Sequence, residues 1–201
     1  MMRRLFDVAA AGAGLILFAP VFALVAVAIK VDSRGPIFFK QERVGRKFRV
    51  FWIYKFRTMT VHPSQAGRAI TVGEDPRITR VGRFLRQSKI DELPQLCNIL
   101  KGDMALVGPR PEVPRYVALF QRDYEEILKV RPGLTDLASL KYRDEASLLS
   151  GCEDPEREYT SRLLPDKIRL AKAYIERSSF LYDVKLIVRT LLRLMTPRSI
   201  A

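Results

Sequence analysis

The chain is 201 residues long, with 35 basic against 22 acidic side chains, a net charge of +13 and 48% hydrophobic residues. That length suits one domain with a real core plus an appended segment, and the charge points to a polyanion: nucleic acid, an anionic leaflet or phosphorylated substrates. Cys97 and Cys152 lack CxxC spacing and His62 is the single histidine, so neither a zinc site nor a disulfide framework is supported, a reducing compartment is favoured, and acid–base work falls to carboxylates.

No charge interrupts Val8 to Ile29. At about 1.5 Å per residue this stretch would reach roughly 33 Å as a helix, enough to cross a bilayer core. Three membrane readings are open: a span, a signal peptide with Met1-Met2-Arg3-Arg4 as n-region and Ala26-Val27-Ala28 as cleavage site, and a helix that enters and turns back. A buried helix of a soluble core is the plain alternative. The apolar run exceeds the roughly 7–15 residues of a signal h-region. Pro20 removes a backbone hydrogen bond in mid-segment and kinks the helix. Arg3 and Arg4 precede the segment, while Lys30, Arg34, Lys40 and Arg43 follow it. Basic residues favour the cytoplasmic side, and a hairpin keeps both clusters there. The expectation is a kinked re-entrant membrane helix over residues 1–34, broken at Pro20.

Ser33-Arg34-Gly35-Pro36 is a turn signal and the boundary to a second unit, residues 35–201. Ile37 to Lys40 and Phe48 to Phe56 read as two strands with a turn at Val44-Gly45-Arg46. In the second, Phe48, Val50, Trp52, Tyr54 and Phe56 alternate with Arg49, Phe51, Ile53, Lys55 and Arg57, a pattern of a strand buried on at least one side. His62 to Pro76 reads as a loop. Gly82 to Lys101 reads as mostly helical, followed by helices at Tyr116 to Lys129, Thr160 to Glu176 and Phe180 to Leu194. The last repeats Lys185, Arg189 and Arg193 every four residues beside an apolar face, as a helix at a membrane surface does. The fold class expected is mainly α with a small β-hairpin, an α+β arrangement with surface amphipathic helices.

The chemistry concentrates in residues 86–111. Arg77, Arg80, Arg83, Arg86 and Lys89 lead without an intervening acid into Asp91-Glu92. Arginines hold anionic oxygens in forked hydrogen bonds, while a carboxylate attacks phosphorus or binds a divalent metal. Neighbours on a regular helix point about 100° apart, so the two carboxylates share a site most easily where the helix starts or breaks. Ser88 with Asp91 resembles a capping box, and Pro94 disturbs the backbone downstream. Pro109-Arg110-Pro111 fixes φ on both sides of one arginine, which aims its guanidinium. Plain helix capping and a rigid exposed turn are the structural alternatives for these two features.

The long ordered strings Asp91-Glu92-Leu93-Pro94-Gln95-Leu96, Asn98 to Met104 and Val107 to Pro111, with Tyr54 to Met59, Arg131 to Thr135 and the kinked apolar helix, closely resemble the bacterial sugar transferases known as monotopic phosphoglycosyl transferases. The resemblance runs over nearly the whole chain. It implies transfer of a phosphosugar from a UDP-sugar to polyprenyl phosphate, usually undecaprenyl phosphate, with release of UMP, as the first step of surface-glycan or glycoprotein-glycan assembly. It further implies Asp91 as nucleophile and metal ligand, Glu92 as its catalytic partner, Mg²⁺ as cofactor, Lys55, Arg86 and Arg110 on the phosphate oxygens, and the cytoplasmic face of the bacterial inner membrane as the location. The chain departs from the common pattern in having Ala19-Pro20 for Ser-Pro and Asp136-Leu137-Ala138-Ser139 after Thr135. With no extra spans upstream it reads as a minimal catalytic form, and the sugar stays open. A membrane-tethered nucleic-acid-binding protein, or a non-catalytic scaffold, would leave Asp91, Glu92 and Arg110 without a role, so no nucleic acid is expected as partner.

Overall fold

The computed structural model describes residues 2–60, 70, 72–73 and 75–195. His62 and most of the loop expected at 62–76 lie outside the described residues. Helices α1 (Met2–Leu17) and α2 (Ala19–Asp32) are bent by 59° at Phe18, and among the described residues no single helix is long and apolar enough to cross a membrane. Pro20 lies in the first turn of α2, where a missing N–H costs least. The two arms leave Ile16, Leu17, Leu24, Val27 and Val31 exposed, while Ala11, Val25 and Ile29 pack inward.

Strands β1 (Phe38–Val44) and β2 (Val50–Phe56) form an antiparallel pair. The first strand is longer than expected because the reversal sits at Gly45–Arg49, with Lys47 and Phe48 at φ of 57° and 58°. Of β2's two faces the mixed one is buried through Phe51 and Ile53, whereas on the aromatic face Val50 and Trp52 are exposed and only Phe56, at the strand's end, is buried. Phe51 and Ile53 join Ala11 of α1 and Leu96, Ile99 and Met104 in one core cluster. Lys55 therefore points to the inner side of the sheet.

The helix expected over 82–101 is three pieces: α3 (Arg80–Ser88), a 3₁₀ turn at Ile90–Glu92, and α4 (Gln95–Lys101). Lys89 at φ 61° ends α3 in the left-handed region. Ser88 does not cap a following helix. Its hydroxyl donates back to Phe84 O at 2.8 Å, within α3 itself. Thr79 is the cap instead, accepting from Gly82 N–H.

Beyond α4 come β3 (Ala105–Val107), α5 (Pro114–Leu119), α6 (Gln121–Ile127) and β4 (Gly133–Thr135), the last pairing parallel with β3. The single helix expected over 116–129 is broken at Phe120 (φ −126°, ψ 39°). The seam between β3 and β4 explains Arg131-Pro132-Gly133: a Cβ on Gly133 would stand 2.1 Å from Gly108 N. Short helices α7 (Leu137–Lys141), α8 (Glu145–Ser150) and α9 (Pro155–Glu158) lead into a π-helical turn, Tyr159–Leu163. Helices α10 (Leu164–Arg177) and α11 (Phe180–Met195) complete the chain. The mainly helical α+β architecture is as expected.

Candidate active site

Asp91 and Glu92 lie on the 3₁₀ turn between α3 and α4, so the helix break that the adjacent acids call for is present. Asp91 is buried, 7% exposed, and its Oδ1 has no hydrogen-bond partner. Glu92 Oε1 accepts from Lys55 Nζ at 2.7 Å and from Arg110 Nη2 at 2.8 Å. The sheet supplies Lys55, and the loop leaving β3 supplies Arg110. One carboxylate oxygen thus gathers the two cations beside Asp91.

Burial pushes the Asp91 carboxyl above its ordinary range, and the Lys55 charge only partly offsets this. Burial acts on Glu92 in the same sense, but Arg110 and Lys55 outweigh it and hold that carboxyl well below the usual range. Glu92 is the ionised counter-charge of the pair. The environments of the two acids differ as those of paired carboxylates with separate tasks do.

Arg86 is placed differently. Its Nε donates to Thr58 Oγ1 at 2.8 Å, and its charge acts on Asp91 without a direct bond to it. The cause lies one turn earlier, where a Cβ on Gly82 would stand 2.1 Å from Thr58 O. Because α3 touches the backbone of Thr58 at Gly82, the residue four positions on meets the same threonine. Pro20 lies in the bent helical pair and is no part of the site.

The sequence marks Asp136 to Ser139 only as a departure that leaves the sugar open, and Asn98 only as the first residue of a motif; it gives none of Ser139, Asp136 and Asn98 a place in the site. Ser139 Oγ lies 3.4 Å from Arg110 Nη1, and Asp136 caps α7 while accepting from the Ser139 hydroxyl at 2.6 Å. Asn98 is fully buried. It accepts from Tyr54 N–H at 3.0 Å and donates to Trp52 O at 2.7 Å, closing the edge of β2 that β1 leaves open. Asp136 before a short helix carries an N-cap signal, whereas nothing local marks Asn98.

A buried carboxylate with a free oxygen, a second ionised carboxylate and two converging cations form an arrangement chemically able to hold phosphate groups. A family model described as bacterial sugar transferase matches residues 1–197. The chain is 39% identical, over 98% of its length and 70% of the other's, to a UDP-glucose:undecaprenyl-phosphate glucose-1-phosphate transferase of Caulobacter vibrioides. It is 35% identical, over 98% of its length and 96% of the other's, to the exopolysaccharide production protein PSS of Rhizobium leguminosarum bv. phaseoli. Over 69% of its length it is 44% identical to a UDP-N-acetylgalactosamine-undecaprenyl-phosphate N-acetylgalactosaminephosphotransferase of Aeromonas hydrophila, of which it spans 34%. The chain belongs to the bacterial sugar transferase family, whose members of this kind are phosphoglycosyl transferases.

Proposed function

We propose that the protein transfers a phosphosugar from a UDP-sugar to undecaprenyl phosphate in two displacements at Asp91. The observation that carries this is the buried Asp91 carboxylate with an unpartnered oxygen, set beside the Glu92–Lys55–Arg110 cluster. An Asp91 oxygen attacks the sugar-bearing phosphorus, the anhydride bond breaks, and UMP departs with the bonding pair. A phosphate oxygen of the lipid then attacks the same phosphorus and returns Asp91 to its carboxylate, leaving a lipid pyrophosphoryl sugar. Two steps let one centre serve a soluble donor and a lipid acceptor in turn. Lys55 and Arg110 hold the non-reacting phosphoryl oxygens, and Arg86 adds positive charge near Asp91. The relatives named for glucose and for N-acetylgalactosamine carry different sugars, so the donor sugar is the variable part of this reading.

Among the described residues there is no group of three or more His, Cys, Asp or Glu placed to hold a metal. That suits Mg²⁺, which takes one or two protein carboxylates and fills its remaining positions with water and substrate phosphate. Asp91, through its unpartnered oxygen, is the residue that would hold it. When bound, Mg²⁺ neutralises charge on the pyrophosphate and the departing UMP. EDTA is expected to reduce UMP release to background, with Mg²⁺ restoring it. With donor labelled in the sugar and no acceptor, the protein itself should acquire label that hydroxylamine removes. Rapid turnover with no labelled protein at any time would count against the covalent step.

The same reading places α1 and α2 as a re-entrant hairpin on the cytoplasmic side of the inner membrane. Both ends of the bent pair are tied to one body. Arg4 Nη1 donates to Ile99 O at 2.7 Å and Leu106 N–H to Asp7 Oδ1 at 3.1 Å, while Arg57 donates to Ser33 O at 2.7 Å and Arg34 O at 2.6 Å. A straight span would part these ends by roughly 30 Å of hydrocarbon. Helix α11, with Leu181, Val188, Leu191 and Leu192 exposed beside Lys185, Arg189 and Arg193, lies at the lipid surface. Cysteines placed at positions 2 and 34 should both react only with reagent supplied from the cytoplasmic side. Pro20→Leu should convert part of the population to a spanning form with position 2 exposed to the periplasm. Periplasmic labelling of position 2 without that substitution would refute the hairpin.

A further inference from the structure

Glu112 follows Pro111 directly, and its carboxylate is buried although it takes no part in the proposed displacements. Its Oε1 accepts from Arg43 Nη1 of β1 at 2.9 Å and from Val113 N–H at 3.0 Å, and its Oε2 accepts from the Tyr159 hydroxyl at 2.7 Å. The backbone is held as firmly. Glu112 O accepts from Val44 N–H at 2.9 Å, and Arg43 Nη1 also reaches Pro111 O at 3.2 Å. Tyr159 opens the π-helical turn, and Lys167 Nζ donates to its hydroxyl at 3.3 Å and to Glu145 Oε2. Two segments far from Glu112 in sequence, β1 and the π-helical turn, thus converge on one carboxylate, with Lys167 and Glu145 behind Tyr159.

An ionic network of this kind is an expensive way to fill a core, since apolar side chains of like volume stabilise as well or better. What it adds is direction. Only Pro111 separates Glu112 from Arg110, and its ring fixes φ, so little backbone freedom remains between the clamp and the arginine. A narrow cleft is lined by Arg110, Glu112, Asp136, Lys167 and Tyr174 among others, so the clamp and the arginine border one space. The π-helical turn fits the same purpose. Its extra residue per turn shifts side-chain phase, and such turns recur at functional sites.

We propose that Glu112, clamped by Arg43 and by Tyr159 of the π-helical turn, is a positioning residue that aims Arg110 at the phosphate-binding centre. The proposal rests on the reading of that centre given above. Glu112 touches no reacting atom and acts through Arg110 alone.

The test is a pair of double-substitution cycles. Tyr159→Phe and Glu112→Gln are each made in the natural chain and in an Arg110→Ala background, and kcat/KM for the UDP-sugar donor is compared. Alone, Tyr159→Phe should lower kcat/KM about 5-fold and Glu112→Gln about 30-fold or more, yet in the Arg110→Ala background each should change it by less than about 2-fold, because the group they aim is gone. Undiminished losses in that background would mean that the network only supports the fold, and the positioning role would be abandoned. Tyr159→Phe removes a single hydroxyl and keeps the ring, so it carries the test if Glu112→Gln does not fold. Where turnover of Arg110→Ala is too slow to measure, the same cycles are read from inorganic pyrophosphate binding by calorimetry without metal. Turnover of UDP-sugars by the unsubstituted protein tests the functional reading separately, since only the ratio between backgrounds bears on Glu112.

Discussion

Asp91→Asn is expected to lower UMP release by about three orders of magnitude or more, because an amide is a poor nucleophile towards phosphorus and a weak metal ligand. The fold should be indifferent to the change. Asp91 Oδ1 has no hydrogen bond to lose, and burial already acts against the charged form, so the neutral amide relieves a cost rather than creating one. The melting temperature should therefore hold or rise while activity disappears. Glu92→Gln should impair turnover severely for a different reason. Its carboxylate is the ionised partner of Lys55 and Arg110, and the amide leaves two half-buried cations without their counter-charge. That variant should lose stability as well as activity. Near-normal turnover in Asp91→Asn, measured as UMP released from the donor, would remove Asp91 from the nucleophile's role.

The second large effect is expected on stability and comes from Asn98. Asn98→Leu keeps the side-chain size but leaves Tyr54 N–H and Trp52 C=O without partners on the free edge of β2. Each unpaired backbone group costs about 1–3 kcal/mol. A combined loss of about 2–6 kcal/mol lowers the midpoint of thermal unfolding by about 4–24 °C in a chain of this size. Circular dichroism of the detergent-solubilised protein checks it. An unchanged midpoint would show that water or a neighbouring group takes over both bonds.

The two halves of the site were unequally legible. Asp91 and Glu92 are adjacent, and a helix break beside them follows from the 100° step between neighbours, so their joint placement could be read directly. Lys55 and Arg110 lie in long ordered motifs, Tyr54 to Met59 and Val107 to Pro111, and both are therefore legible in the sequence as partners of the acidic pair. Arg86 stands five residues before Asp91 in sequence, but its hydrogen bond goes to Thr58, 28 residues away. Alternation along β2 was legible, whereas the choice of buried face was not. A period of two is the same whichever side the core lies on, and here α1 and α4 cover the mixed side. Asn98 and Glu112 were missed because their long-range bonds cross 44 to 69 residues and leave no periodic trace. Helix ends at Lys89 and Phe120 were missed because non-glycine residues adopt the breaking conformations.

The seam at Gly108 and Gly133 bears on how this enzyme can be recombined. The two glycines occupy the space that the other's side chain would need, and Gly133 N–H donates to Pro109 O at 2.9 Å while Gly108 N–H donates to Thr135 O at 3.2 Å. Neither can change alone without prising β3 from β4. A chimaera joined between 108 and 133 inherits one glycine from each parent and must also match two backbones at that crossing. Exchanging residues 103–135 as one block carries the crossing intact, together with Arg110 and Glu112. Grafts that stop short of the seam on either side leave it untouched. Crossover points for shuffling donor preference between relatives therefore belong after Thr135, where the chain turns into α7 and the Asp136–Ser139 segment meets Arg110 from the other side.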